Sequence, residues 1–431
     1  MSITRKALMA VASTAALTLA ACGGTVPSQS GGGSGSSDIT VVSNFTSDVA
    51  RGKVLSQLIE TFNKQNGGKY KVVSKPEADW PTLQSKIKSM ISAGSAPDVF
   101  LYNYNPNDLS REESGKLMDW TPYLNADAGW KGRFRTENLE AVTHGGQITG
   151  IPSDQAPALI YYHKNLFAKA GITTFPATWT EFFAAAEKLK SAGVAPLALQ
   201  TSDDAWYAMN AFSYLATSAG GSDVYATGKS LDSPAIVSAA EQMKKLFTYS
   251  TKDAVGSNYS VASRNFLSGQ AAMVIDGPWL ISTIQSEVDT PCDIGVAVAP
   301  TNGDGNAKAG DVVTDSLNVW GAAKQSDKAK ADAVAAWMKF LTSNENAVKM
   351  SVQGEYPLAV KTTLTAADSS SANCQMQQVL KLSAAAPESI VQMAREIKPA
   401  AQAKLPALLE GLALGSTSPQ QFATQLQAAN K

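Results

Sequence analysis

The strongest constraint on the fold is an alternation of short β-rich runs and helical hydrophobic patterns that starts at Asp38. The first three runs predict strands at residues 39–42, 70–73 and 98–102. Between them, apolar residues recur three and four positions apart, which is typical of helices with one buried face. Strands and helices in this alternating order predict βαβ units and a mainly parallel sheet. The sequence therefore predicts an α/β fold.

Further helices are predicted in the middle and near the end of the chain. Thr178 and Glu181 have the spacing of a capping box, and Gly193 is the expected stop. Apolar residues at 334, 337, 338 and 341 predict another amphipathic helix. A chain of 431 residues, 44% of them hydrophobic, is long enough for two sizeable cores. We therefore expect two α/β lobes.

Charge and hydropathy exclude several classes of protein. The 36 basic and 37 acidic residues are almost balanced, and no basic run offers a surface for phosphates. Binding of nucleic acid is therefore not expected. The apolar fraction is too high for a disordered chain. After residue 22, no apolar run reaches the roughly 18–20 residues of a membrane-spanning helix, which predicts a soluble body.

The first residues predict export and attachment to a membrane. Arg5 and Lys6 precede an apolar stretch at residues 7–20, as in a secretory signal peptide. The stretch ends in Leu-Ala-Ala-Cys, which resembles a bacterial lipobox with Cys22 as the acylated residue. Residues 1–21 are then removed, and acyl chains hold Cys22 on the outer face of the cytoplasmic membrane. The alternative is an ordinary signal peptide that happens to end near a cysteine.

A flexible tether is predicted between the acylated Cys22 and the body, so that residues 22–37 form the link. Eleven of the fifteen residues at positions 23–37 are Gly or Ser, and such a segment spans roughly 20 Å on average. The two other cysteines, Cys292 and Cys374, lie in the exported body. That location permits a disulfide, but the sequence does not show that the two are close.

Motifs of common catalytic and metal sites are absent from the sequence. It has no nucleophile elbow, P-loop, zinc-protease motif or dinucleotide fingerprint. A calcium loop starting at Asn302 would need Glu at its twelfth position, where Val313 stands. Tyr161 and Tyr162 beside His163 suggest iron ligands, but a partly buried strand is the preferred interpretation. We expect no enzyme activity, no metal and no cofactor.

Five segments, in this order, resemble the oligosaccharide-binding family 1 of extracellular solute-binding proteins, which are lipoproteins of ABC transporters. They are residues 145–152 (GGQITGIP), 159–171 (LIYYHKNLFAKAG), 175–182 (FPATWTEF), 266–279 (FLSGQAAMVIDGPW) and 335–341 (AAWMKFL). The sequence departs from the family pattern at His163, where Asn is usual, and at Glu355 and Tyr356, where small residues are common. These departures concern the identity of the ligand.

The resemblance implies a two-lobed, periplasmic-binding-protein-like (type II) α/β fold with a hinge and a ligand cleft between the lobes. Residues 38–150 and about 312–360 are expected to form a discontinuous N-terminal lobe. Residues from about 151 to 311 and from about 361 to 431 are expected to form a helix-richer C-terminal lobe. The ligand stabilises the closed form because only there does it touch both lobes.

The resemblance also implies a monomer that captures a short oligosaccharide and delivers it to the membrane permease subunits of an ABC importer. Two alternatives stay open at this point. One is a surface glycoside hydrolase, because two suitably spaced carboxylates cannot be excluded among 37 acidic residues. The other is a binder of iron, peptide or polyamine on the same scaffold.

A sugar site needs aromatic faces and hydrogen-bonding side chains where strands open onto the cleft. The candidates are Asn44, Asn103, Tyr104, Asp154, Asp204, Trp206, Tyr207, Asp276, Trp279, Asp315, Asn318 and Glu355. The resemblance assigns stacking on sugar to Trp279; the alternative is that Trp279 covers its own core. Trp206 has the alternative of core packing, and Asp154 that of bonding its own loop backbone. Asn44 and Asn103 have the alternative of capping helices.

Overall fold

The structure is a computed structural model, and it describes residues 38–66, 70–103, 111–154, 156–203, 205–315 and 317–431. The predicted signal peptide, the acylated Cys22, the tether and two site candidates, Tyr104 and Asp204, lie outside these residues. In the part of the chain that the structure describes, no helix combines the length and the apolar character needed to cross a membrane.

The strands are short and most are buried. They are β1 Asp38–Val42, β2 Lys71–Ser74, β3 Val99–Asn103, β4 Thr143–His144, β5 Gln147–Ile148, β6 Ile151–Asp154, β7 Leu159–His163, β8 Ala195–Ala198, β9 Ala271–Asp276, β10 Ile294–Ala297, β11 Val312–Thr314, β12 Asn318–Gly321 and β13 Ser389–Val391.

The helices connect and cover the strands. They are α1 Ala50–Gln65, α2 Trp80–Ala93, α3 Arg111–Ser114, α4 Thr121–Ala126, α5 Ala128–Lys131, α6 Thr136–Ala141, α7 Lys164–Lys169, α8 Trp179–Ser191, α9 Trp206–Gly220, α10 Pro234–Phe247, α11 Tyr259–Leu267, α12 Leu280–Glu287, α13 Lys328–Leu341, α14 Asn344–Val352, α15 Ala366–Ser371, α16 Cys374–Ala385, α17 Met393–Glu396, α18 Pro399–Leu414 and α19 Pro419–Ala429.

The predicted elements of the first hundred residues are present. Strands β1, β2 and β3 are parallel, and helices α1 and α2 connect them as crossovers. Helix α2 ends at Gly94, which has the left-handed φ of 70° that glycine adopts without strain. The capping box of α8 also forms: the Glu181 amide donates to Thr178 Oγ1 at 3.2 Å, and the Thr178 amide donates back to Glu181 Oε2.

The expectation of a mainly parallel sheet is wrong. The first sheet has the order β2-β1-β3-β12-β6, and β12 runs antiparallel to both of its neighbours. The second sheet has the order β10-β7-β9-β8, in which only β8 and β9 are parallel. Antiparallel pairing does not require a crossover helix between the two strands. Strands from distant parts of the chain therefore join each sheet in the antiparallel direction.

Each of these sheets has its own hydrophobic core. The first core contains buried residues from Ile39 to Ile151 and from Leu317 to Val360. The second core contains buried residues from Ala158 to Val313 and from Val352 to Leu426. The lobe boundaries expected near residues 150, 312 and 360 stay a prediction.

A disulfide fastens part of the second core. Cys292, in a 3-10 turn at Pro291–Asp293, is bonded to Cys374 at the start of α16. The Cα atoms lie 5.7 Å apart, and the sequence separation is 82 residues. The structure thus pairs the two cysteines whose proximity the sequence left open.

Candidate functional site

The chain passes between the two cores in three places: between β6 and β7, between β11 and β12, and after Val360. Segment 352–360 runs along the border, since Val352 is buried in the second core and Tyr356 in the first. Four site candidates lie in or beside these regions, namely Asp154, Asp315, Asn318 and Glu355. The border between the cores is therefore the candidate site.

A row of hydrogen bonds follows the end of the first sheet. The side-chain Nδ2 of Asn103 donates to Asn318 Oδ1 at 2.9 Å, and the side-chain Nδ2 of Asn318 donates to Asp154 Oδ2 at 3.0 Å. The hydroxyl of Tyr356 donates to the other oxygen of Asp154. The interpretation of Asp154 as a loop residue is wrong, because Asp154 ends strand β6 and its partners come from distant segments.

Burial dominates the electrostatics of Asp154. The side chain is 2% exposed, and this desolvation raises its pKa to about 6. The hydrogen bonds from Tyr356 and Asn318 act in the opposite direction, since they stabilise the ionised form. The nearby charge of Asp315 raises the pKa further. The row is therefore a buried, preorganised set of donors and acceptors.

Two indoles lie at the edge of the second core. The rings of Trp206 and Trp279 meet edge-to-face, with centroids 5.1 Å apart and an angle of 62°. Trp206 is 6% exposed, and its Nε1 donates to Asp315 Oδ2 at 3.2 Å. The other oxygen of Asp315 accepts a bond of 3.2 Å from Nε of Arg395. Trp206 is thus both a core residue and part of the polar border.

Trp279 is half-buried and is the N-cap residue of α12. Its indole lies over the preceding turn. A Cβ added at Gly277 would come within 2.4–2.6 Å of three indole carbons. Glycine at this position is therefore what allows the ring to fold back over the turn.

Asp276 is the electrostatic centre on this side. Its Oδ2 accepts from the hydroxyls of Tyr207 at 2.6 Å and Tyr259 at 3.0 Å, and its Oδ1 accepts from the Gly277 amide at 2.7 Å. Burial raises the pKa of Asp276 to about 7, although these bonds lower it. Asp276 and Tyr207 are fully buried, so their expected role here is to hold Tyr259 and the turn.

Glu355 ties the border segment to the second core. Its carboxylate accepts hydrogen bonds from Ser282 on α12 and from Asn373, the N-cap of α16. Burial raises the pKa of Glu355, and these two bonds oppose the rise. Glu355 has a φ of 54°, a left-handed conformation that costs a non-glycine residue about 1–3 kcal/mol. Such strain persists where surrounding contacts impose it.

Two candidates, Asn44 and Trp206, lie in or directly after turns. Asn44 is half-buried after β1, and the interpretation that it caps α1 is wrong, because Val49 is the N-cap and makes no side-chain bond. In the turn before α9, Asp203 and Ala205 have φ angles of 57° and 53°. The Asp203 carboxylate accepts from the Tyr259 amide at 3.3 Å. This strained turn therefore presents Trp206 beside the second sheet.

Several residues at this border were missed by the sequence interpretation, among them Arg51, Tyr259 and Ser282. Tyr259 and Ser282 carry no local signal. Arg51 does: it is the second residue of α1, and a cation in the first turn of a helix opposes the helix dipole. A basic residue at that position therefore suggests a role other than helix stability.

The chain is similar to known proteins in sequence and in fold. Residues 46–348 match a family model described as bacterial extracellular solute-binding protein. A protein of Brucella abortus (strain 2308), named as a binding protein, is 29% identical over 259 residues. The match covers 58% of this chain, and the chain spans only 60% of the length of that relative.

Two solved structures share the fold. A chitin oligosaccharide binding protein superposes with a TM-score of 0.77 at 22% identity, over 91% of this chain and 98% of its own. A structure from work on xylan utilization by Caldanaerobius polysaccharolyticus also gives a TM-score of 0.77, at 24% identity, over 91% and 99% of the two chains. The α/β, periplasmic-binding-protein-like fold expected from the sequence is confirmed.

Proposed function

Because this chain belongs to the bacterial extracellular solute-binding protein family, we propose that it captures a short oligosaccharide at the border between its two cores. The observation that carries the proposal is the pairing of aromatic and polar groups there. Trp206 and Trp279 supply ring faces, and the row from Asn103 to Asp154 supplies donors and acceptors. Sugars need both, since each unit has an apolar face and a rim of hydroxyls.

In this proposal, each core is one lobe of the protein. The chain crosses from one lobe to the other in three places. Ten of the twelve candidate residues form its ligand-binding set, and the fully buried Asp276 and Tyr207 support them. A sugar that touches Trp279 from the second core and Asn318 from the first favours the closed arrangement, because only that arrangement provides both contacts. Two similar proteins, a chitin oligosaccharide binding protein and the maltotriose-binding protein of Pyrococcus abyssi, are named for ligands of this class.

Delivery completes the proposed function. The lipid on Cys22 holds the protein at the outer face of the cytoplasmic membrane, and the tether lets the body reach the permease subunits of an ABC importer. Cys22→Ser tests the anchor: cells fed labelled palmitate should label the unchanged protein and not the variant. Equal labelling of both would contradict acylation at Cys22.

Titration calorimetry on residues 38–431 tests the ligand class. Maltotriose, chitotriose and xylotriose are compared with a tripeptide, spermidine and ferric citrate. The proposal requires that one sugar binds and is recovered intact. Recovery of shorter sugars supports the alternative of a surface glycoside hydrolase, and binding of one of the other compounds in place of sugar supports a different solute.

A matched pair of variants locates the site. Trp279→Ala removes the proposed stacking face and should weaken sugar binding by tenfold or more. Phe175→Ala removes a half-buried ring that packs on Tyr162 and Phe167, with centroids 4.9 and 6.0 Å away. This control should bind as the unchanged protein does. Equal effects of the two substitutions would place the sugar elsewhere.

A further inference from the structure

Arg51 is a cation at the border between the cores. It is the second residue of α1 and is partly buried. Its guanidinium carbon lies 5.6 Å from the ring centroid of Phe45, which itself packs edge-to-face on Tyr356 with centroids 4.7 Å apart. The guanidinium is therefore stacked on an aromatic surface that continues into the candidate site.

One donor of Arg51 has no partner within the described protein. Its Nε is buried and makes no hydrogen bond to any described residue. An arginine has five N–H donors in a rigid planar fork, and leaving a buried charged donor unpaired is costly. A buried donor of this kind beside the candidate site is suited to pair with a ligand.

The surroundings of Arg51 come from both cores. Burial lowers the pKa of Arg51, whereas its electrostatic interactions with Tyr356, Tyr259, Asp154 and Glu355 raise it. Tyr356 and Tyr259 pack in different cores. Groups of both cores therefore contribute to the electrostatic environment of the guanidinium.

The neighbouring carboxylates are already engaged with other donors. Asp154 accepts from Asn318 and Tyr356, and Glu355 accepts from Ser282 and Asn373. Their hydrogen bonds hold the site together without the guanidinium. Arg51 is therefore free to bind a molecule that enters from outside.

The charge at the border disfavours an anionic molecule. Asp154, Asp315 and Glu355 contribute three carboxyl groups to this border, whereas Asp276 is fully buried. Arg395 is bonded to Asp315, and Lys53 is an exposed residue near Glu355. A sugar acid or a sugar phosphate would meet these carboxylates, whereas hydroxyl groups both donate and accept and so pair with acids and with a guanidinium.

Resting on the proposed function, we propose that Arg51 is a ligand-binding residue that sets specificity, and that it donates to adjacent hydroxyl oxygens of an uncharged sugar unit. The planar fork matches two neighbouring oxygens, which a lysine ammonium cannot bridge in the same way. Lysine at this position keeps the charge and loses the fork. The comparison of the two separates hydrogen-bond geometry from electrostatic attraction.

The test is calorimetry on the unchanged protein, Arg51→Lys and Arg51→Gln. The uncharged probes are maltotriose, chitotriose and xylotriose; the anionic probes are trigalacturonate and sn-glycerol 3-phosphate. We expect the unchanged protein to bind an uncharged sugar and both variants to bind it at least tenfold more weakly. Arg135→Lys, an exposed arginine, is the control and should bind normally.

The midpoint of thermal unfolding without sugar is measured for every variant, and it should not fall for Arg51→Gln, since that change removes a buried unpaired charge. Binding by Arg51→Lys within twofold of the unchanged protein overturns the role of the fork. Preference of the unchanged protein for an anionic probe overturns the assignment of an uncharged ligand. If the unchanged protein binds none of the sugars, the proposed function fails, and this inference fails with it.

Discussion

Asp276→Asn should remove a large part of the pH dependence of stability between about pH 4.5 and about pH 7.5. Burial raises the pKa of Asp276 from 3.8 to about 7. The folded state therefore keeps this proton over a pH range in which the unfolded chain has released it. The contribution of Asp276 to stability is greatest below pH 3.8 and declines as the pH rises towards 7.

The expected magnitude follows from linkage. Each unit of pKa difference corresponds to about 1.36 kcal/mol. Across the interval from about pH 4.5 to about pH 7.5, ionisation of Asp276 lowers the free energy of unfolding by roughly 3 kcal/mol. Asparagine does not ionise. The stability of the variant relative to the unchanged protein should therefore rise by roughly 3 kcal/mol across the interval.

Urea unfolding followed by circular dichroism at several pH values measures this difference. Altered hydrogen bonds to Tyr207, Tyr259 and Gly277 add an offset that does not depend on pH, so the change across the interval is diagnostic. Asp127→Asn is the control, because bonding to Lys339 lowers the pKa of this exposed carboxyl below 3.8. Its stabilising contribution is lost only below the interval. A constant difference between Asp276→Asn and the unchanged protein would refute the reasoning.

Three further predictions concern packing and strain. Gly277→Ala should displace the Trp279 indole, because the new Cβ would lie 2.4 Å from it; a cost of about 1–3 kcal/mol and a shifted tryptophan emission are expected, and an unchanged spectrum argues against the contact. Replacing Cys292 and Cys374 together by Ser should lower the free energy of unfolding by about 4–5 kcal/mol in non-reducing urea titrations, since the disulfide closes a long loop. An unchanged free energy of unfolding would show that the disulfide is not formed. In urea titrations, the free energy of unfolding of Glu355→Gly should exceed that of Glu355→Ala by about 1 kcal/mol. Both variants lose the same hydrogen bonds, but only glycine adopts the left-handed φ without strain. Equal stabilities of the two variants would contradict backbone strain at this position.

Local sequence signals were sufficient for the elements of the first core. The predicted strand at 39–42 is β1, and the apolar pattern that follows it lies on α1. The pattern at 334–341 lies on α13, whose Trp337 and Leu341 are fully buried. Hydrophobic periodicity and caps act over one or two turns, so a short window contains the information.

The direction of the strands could not be predicted from such local patterns. β12 pairs with β3, and Asn318 meets Asn103 across 215 residues of chain. The alternation of strands and helices suggested parallel neighbours, but it contains no information about strands that arrive from the other core. Pairing over such distances depends on how the whole chain packs.

The candidate site could be predicted in part from the sequence. Residues at the ends of strands, such as Asn318 and Asp154, were recognised from their chemistry and position, and the structure brings them into contact. Arg51 and Ser282 were missed because their importance depends on neighbours far away in the sequence. Tyr207 was recognised, but its complete burial was not foreseen.

The sequence by itself determined the order of the first strands and helices, the capping box of α8, the helix at 334–341 and the resemblance to a family, because each depends on residues close together in the chain. The family resemblance already implied three passages of the chain between two lobes, whereas only the tertiary structure decided which side chains meet at the border between the cores. The tertiary structure also decided that Asp154 meets Tyr356, that Tyr207 meets Asp276 and that Cys292 meets Cys374. These contacts join residues separated by 69 to 202 positions, and their environment of burial and charge exists only when both cores are packed.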